Sequence, residues 1–82
     1  MNGFHYVYIL QSLSEPKQIY TGFSGNLKQR LAEHNSGKVP HTSKFMPWEI
    51  RTATAFNSKE RAVIFEQYLK SGSGRAFLHR HF

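Results

Sequence analysis

The chain contains no cysteine and no aspartate. Without thiols there is neither a disulfide framework nor a thiolate zinc site, so folding rests on packing and a reducing cytoplasm is the simplest compartment. A Ser-His-Asp triad and a pair of aspartates bridging two metals are excluded as well, as is a thiol nucleophile. Proline occurs three times and tryptophan once. No apolar run is long enough to span a bilayer, and the start "MNGFHYVYIL" has neither the basic region nor the cleavage site of a secretory leader. Neither "GFSG" nor "SGSG" has the lysine and spacing of a phosphate-binding loop, so both read as turns.

Eighty-two residues without an internal linker, repeat or low-complexity tract make one domain, read as residues 1–82. A domain of this size buries only about 60 to 65% of its unfolded surface, which limits its stability. Eleven Lys and Arg stand against five Glu, giving a net charge of +6 and a pI near 10. That balance favours a polyanionic partner.

"FHYVYIL" (Phe4 to Leu10) is almost continuously apolar, as expected of a strand covered on both faces. A polar connection through Ser12, Ser14 and Pro16 leads to "KQIYT", a second strand in an antiparallel hairpin, which Gly22 and Gly25 are expected to end. Asn26 and Gln29 form a capping-box pattern ahead of a helix through "LKQRLAEHN", with Gly37 placed to close it. After the basic loop "GKVPHTSKFMP", the segment "WEIRTATAF" alternates Trp48, Ile50, Thr52, Thr54 and Phe56 at period two, a third strand. Asn57 and Glu60 suggest a second cap before "KERAVIFEQYLK", and "GRAFLHRHF" a short basic tail helix. The order is β-β-α-β-α, an α+β domain with a three-stranded antiparallel sheet flanked by helices.

Several polar residues fall where water is not their natural partner. On the first helix Leu27, Arg30, Leu31 and His34 share one sector, so Arg30 lies at the rim of the apolar stripe. Its stem can cover apolar surface while the guanidinium reaches water, or the guanidinium can be aimed at a phosphate. On the second helix Ala62, Phe65, Glu66 and Leu69 follow i, i+3, i+4, i+7. A carboxylate in that stripe needs an ion pair, hydrogen bonds or a metal. A Glu66–Arg30 pair and metal binding stand equal at this point. Tyr6 and Tyr8 share a face of the first strand, with Tyr20 on its hairpin partner. Strand aromatics are ordinarily core, and Trp48 is read that way first, although it or Phe45 could instead stack on an unpaired base. His79 and His81 have no evident co-ligands.

Together these residues resemble the GIY-YIG nuclease family, especially its small stand-alone bacterial members. The first motif corresponds to Tyr6-Val7-Tyr8 and the second to Tyr20-Thr21-Gly22. The helix arginine corresponds to Arg30, with His34 one turn later, and the metal-binding glutamate to Glu66 in "FEQYLKSG". The similarity extends over essentially the whole chain, including "PWEI" and "LKSGSGRAFL". Tyr6 and Val7 stand where the family name has Gly and Ile, and Thr21 where it has Ile. No asparagine follows the glutamate helix.

The resemblance implies a metal-dependent endonuclease of low sequence specificity that hydrolyses phosphodiester bonds, on DNA in preference to RNA, in repair or processing. Tyr8 would activate or orient water with Tyr20 and His34 assisting, Arg30 would stabilise phosphate charge, and Glu66 would hold one Mg²⁺ or Mn²⁺. As a free base near pH 7, Tyr8 would need its pKa lowered by about three units, or about 4 kcal/mol. That implies strict metal dependence and activity rising toward alkaline pH. Lys38, His41 and Lys44 on the loop, with Arg75 and Arg80 near the tail, would track the nucleic-acid backbone. A protein partner would supply targeting, and no membrane is implied. Two alternatives remain: a nucleic-acid-binding module of the same fold without effective catalysis, and an interaction domain with a buried Arg30–Glu66 pair.

Overall fold

A computed structural model describes residues 3–82, so Met1 and Asn2, the start of the segment examined for a leader and of the expected domain, lie outside the described residues. The run of β-branched and aromatic residues at the start forms strand β1, His5–Ser12. It pairs antiparallel with β2 (Ile19–Ser24) on one side and β3 (Trp48–Phe56) on the other, giving the order β2-β1-β3. β1 is therefore central and covered on both faces, which explains its unbroken apolar character.

Gly22 does not end the second strand. It lies inside β2 opposite Tyr8, and the strand continues to Ser24. A Cβ at Gly22 would collide with the ring and hydroxyl of Tyr8, so this glycine makes room for a side chain on the neighbouring strand. The period-two pattern of β3 is also resolved differently. A bulge between the pairs Ile9↔Thr52 and Leu10↔Ile50 leaves Arg51 over. Trp48 and Ile50 consequently pack with Tyr8 and Leu10, while Phe56 packs with Val7 and Ile9 on the opposite face.

The expected helices all form. Helix α1, Leu27–Asn35, is capped by Asn26, whose side chain accepts from the Gln29 backbone N–H at 3.1 Å. Gln29 returns a bond to the Asn26 side chain, not to its backbone, so the box is incomplete. The Lys38 N–H bonds to the Glu33 carbonyl around Gly37, which has φ of 82°. Helix α2, Lys59–Leu69, starts one residue later than the Asn57 cap predicted, because Ser58 accepts from the Arg61 N–H.

Helix α3, Gly72–His81, begins within "SGSG", which is its cap and first turn and no free-standing loop. Ser71 accepts from the Gly74 N–H at 3.1 Å. A Cβ on buried Gly74 would overlap the Tyr68 carbonyl, so α3 can start directly against the last turn of α2. Val7, Ile9, Ala62, Leu69 and Leu78 form the core between the sheet and α2/α3. Tyr8, Leu10 and Trp48, with Leu27 and Leu31 of α1, form the other.

Candidate active site

Three polar side chains are buried together under α1. His34, with no exposed surface, comes from the last turn of the helix, and Tyr8 from the middle of the central strand. The Tyr8 hydroxyl is 3.0 Å from His34 Nε2, and Thr42 Oγ1 is 2.8 Å from His34 Nδ1. Thr42 uses its own proton to reach the Val39 carbonyl at 3.3 Å. With that proton so used, we assign the Thr42 oxygen as acceptor from Nδ1–H, with Nε2 unprotonated and accepting from the tyrosine. Among the described residues no buried side-chain nitrogen or oxygen lacks a partner, as burial requires.

The loop that carries Thr42 is held at both ends. Asn35 clasps the Trp48 backbone, accepting from its N–H at 2.6 Å and donating to its carbonyl at 2.9 Å. The Trp48 indole N–H donates to the Thr42 carbonyl at 2.8 Å. Trp48 is thus a buried packing and anchoring residue and is not exposed for base stacking, while Phe45 packs partly buried against the same cluster. Thr42 is the residue that the motif pattern missed. A threonine in a polar loop carries no signal of its own, and only its contact with His34 reveals it.

Electrostatics run against an ionised tyrosine. Burial pushes the Tyr8 phenol above its ordinary value of 10.0, and the nearby Tyr20 and Glu66 charges add to this while Arg30 opposes it. The lowered phenol required of a free base is not what these surroundings supply. Burial, then the Arg30 charge, holds His34 below its ordinary 6.5, with Glu33 opposing. At neutral pH the pair is a protonated phenol bonded to a neutral imidazole.

Tyr20 completes the aromatic cluster, its ring centroid 4.9 Å from that of His34 and 6.4 Å from that of Tyr8. Arg30 lies at the rim of the stripe as expected, with its guanidinium bonded to Glu33 at 2.7 Å. Glu66 pairs with Lys70 at 2.7 Å. The Arg30–Glu66 pair considered from sequence is therefore absent, since each side chain has a partner on its own helix. Glu66 still lies close enough for its charge to act on Tyr8.

Among the described residues no three His, Asp or Glu side chains converge as a metal cage. Glu66 is a carboxylate whose charge reaches Tyr8, and one carboxylate completed by waters and substrate phosphate suits a hard ion such as Mg²⁺. It does not suit zinc. Of the basic residues, Lys38, His41 and Lys44 lie exposed on the loop after α1, and Arg75 and Arg80 lie exposed on α3. Of these five, Arg75 borders a cavity that also includes Tyr20. Among the described residues no helix is long and apolar enough to cross a membrane.

The GIY-YIG catalytic domain family matches residues 4–78, and the chain belongs to that family, carrying a domain of the nuclease type. It is 36% identical over 72 residues to a UPF0213 protein of Streptococcus pyogenes serotype M3, covering 87% of this chain and 76% of that protein. A UPF0213 protein of Natronomonas pharaonis is 37% identical over 68 residues, 82% of this chain and 78% of the relative. The solution NMR structure of a UPF0213 protein from Bacillus halodurans superposes with a TM-score of 0.56 at 32% identity, covering 94% of this chain and 83% of that one.

Proposed function

We propose that residues 1–82 act as one catalytic domain, a metal-dependent endonuclease of low sequence specificity. It hydrolyses phosphodiester bonds, on DNA in preference to RNA, in repair or processing within the cytoplasm, and a protein partner supplies targeting. The observation that carries this reading is the buried relay from Tyr8 through His34 to Thr42. A buried tyrosine needs some acceptor for its O–H, and the one placed here, an imidazole held neutral, is also a base able to take that proton.

In this reading Tyr8 need not be ionised beforehand, but its side chain is buried in the free protein, so the substrate complex has to open its hydroxyl to the attacking water. As water attacks phosphorus, its proton passes to the Tyr8 oxygen while the Tyr8 proton passes to His34 Nε2, and the P–O bond to the leaving oxygen breaks. The new imidazolium keeps its Nδ1–H bond to Thr42. Arg30 stabilises the charge developing on the phosphate, and Tyr20 packs beside the relay to orient it. Glu66 would hold one Mg²⁺ or Mn²⁺, which when bound supplies Lewis-acid stabilisation of the phosphate and leaving oxygens. Lys38, His41, Lys44, Arg75 and Arg80 contribute backbone contacts.

A second reading, a binding module without turnover, is favoured by the Lys70 ammonium bonded to the one carboxylate available for a metal. Cleavage of labelled DNA and RNA duplexes, flaps, junctions and single strands in Mg²⁺, Mn²⁺ or EDTA separates the two. Metal-dependent cutting by the parent that is lost in Glu66→Ala is the expected result. A Glu66→Ala protein that cuts as well as the parent overturns the metal assignment, and binding without cutting on every substrate leaves the binding module.

A further inference from the structure

A cavity of about 430 Å³ runs along the outer edge of β2 toward the junction of α2 and α3. Among the described residues the strand order leaves this edge of β2 without a strand partner. Lys17 reaches the cavity from the β1–β2 connection, Lys70 from the end of α2, and Arg75 and His79 from successive turns of α3. Leu78 contributes apolar floor, and Tyr20 forms part of the wall. Among the described residues no carboxylate lines it.

Three separate parts of the chain thus deliver three permanent positive charges and an imidazole to one concavity. Like charges brought together repel, and among the described residues only Lys70 of these three cations forms an ion pair, with Glu66 on the turn before it. An arrangement of this kind is stabilised by an anion bound between the cations. Tyr20 connects the cavity to chemistry, because its ring also touches the cluster of His34 and Tyr8. Lys70 connects it to Glu66 at the other side.

We propose that this groove is the track for the sugar-phosphate backbone of the nucleic acid, with Lys17, Lys70 and Arg75 contacting successive phosphates next to the reacting one. Lys17, Lys70 and His79 thereby join Arg75 as binding residues, whereas Arg80 lies off the groove. The inference rests on the nucleic-acid reading of the site, but it concerns binding and not turnover.

The test measures binding of a labelled DNA duplex by fluorescence anisotropy across a salt series in EDTA. The variant Lys17→Gln/Arg75→Gln leaves the Lys70–Glu66 pair intact, and Arg51→Gln/Lys59→Gln removes the same charge from exposed positions outside the groove. Thermal melting verifies that both remain folded. Each lost phosphate contact lowers the slope of log K against log[salt] by about 0.9, so the groove variant is expected to lose about 2 and the control almost nothing. Equal loss in both variants, or an unchanged slope in the groove variant, overturns the proposal. If the groove variant alone loses slope while the parent cuts no substrate with metal, the groove stands and the nuclease reading falls. If the parent cuts and the groove variant keeps both its slope and its KM, the groove falls and the nuclease reading stands.

Discussion

The Tyr8 hydroxyl and His34 Nε2 are separated by 3.0 Å in space and 26 positions in sequence, and both side chains are closed to solvent. Tyr8→Phe keeps the ring that packs with Leu10 and Trp48 but removes the proton donor. Cleavage is expected to fall by about 10²–10⁴-fold. Stability is expected to fall by only about 1–3 kcal/mol, the cost of leaving Nε2 unpaired. Single-turnover kinetics together with urea unfolding check both halves.

Thr42→Val is nearly isosteric and removes the acceptor for His34 Nδ1–H. The imidazole then has no reason to keep its proton on Nδ1. Two-dimensional ¹H–¹⁵N spectra of the histidine ring are expected to show the Nδ1–H tautomer in the parent and a shift toward Nε2–H in the variant. Retention of the parent tautomer would remove Thr42 from the relay. Cleavage should drop with the tautomer change even where the melting temperature is only modestly affected.

Gly22→Ala places a methyl group into the Tyr8 ring. A loss of about 1–3 kcal/mol is expected from overpacking, with Tm lowered by roughly 4–8 °C per kcal/mol in a domain this small. In a Tyr8→Ala background the same methyl meets open space, so its cost should largely vanish. A double-mutant cycle by thermal melting measures that coupling.

The pH dependence follows from His34, whose folded pKa is depressed below 6.5 by burial and the Arg30 charge. The unfolded chain takes up the imidazole proton at higher pH than the folded chain does. Its contribution to stability is therefore present above about pH 6.5 and lost as pH falls through the folded value. Urea midpoints should decline with acid in the parent, with this part of the slope missing in His34→Gln. The kcat/KM profile should show an acid limb below pH 6.5, where His34 loses the lone pair that accepts the Tyr8 proton.

Much of this architecture was legible locally. The three strands and three helices follow from apolar periodicity and capping residues, and Tyr8, Tyr20, Arg30, His34 and Glu66 were singled out because polar or phenolic groups fell on core-facing positions. Cap choice between neighbouring Asn57 and Ser58 was not legible, since both can accept the same kind of bond and the entry path of the chain decides. Nor was the role of Gly22 or Gly74. A glycine in sequence signals backbone freedom, whereas these two are required by atoms of Tyr8 and Tyr68 that arrive from other elements.

The partners of the charged residues were equally hidden. From helical spacing Arg30 and Glu66 could have met across the core, but each bonds a residue on its own helix because three- and four-residue spacing brings those groups together without any tertiary cost. Periodicity and composition are local properties, so the α+β class, the basic surface and the residues capable of chemistry could be read along the chain. The central place of β1, the bulge at Arg51 that divides β3 between two cores, and the meeting of Thr42 with His34 emerge only in three dimensions. Those relationships depend on which distant segments share a buried space, and that is settled by packing the two faces of the sheet together.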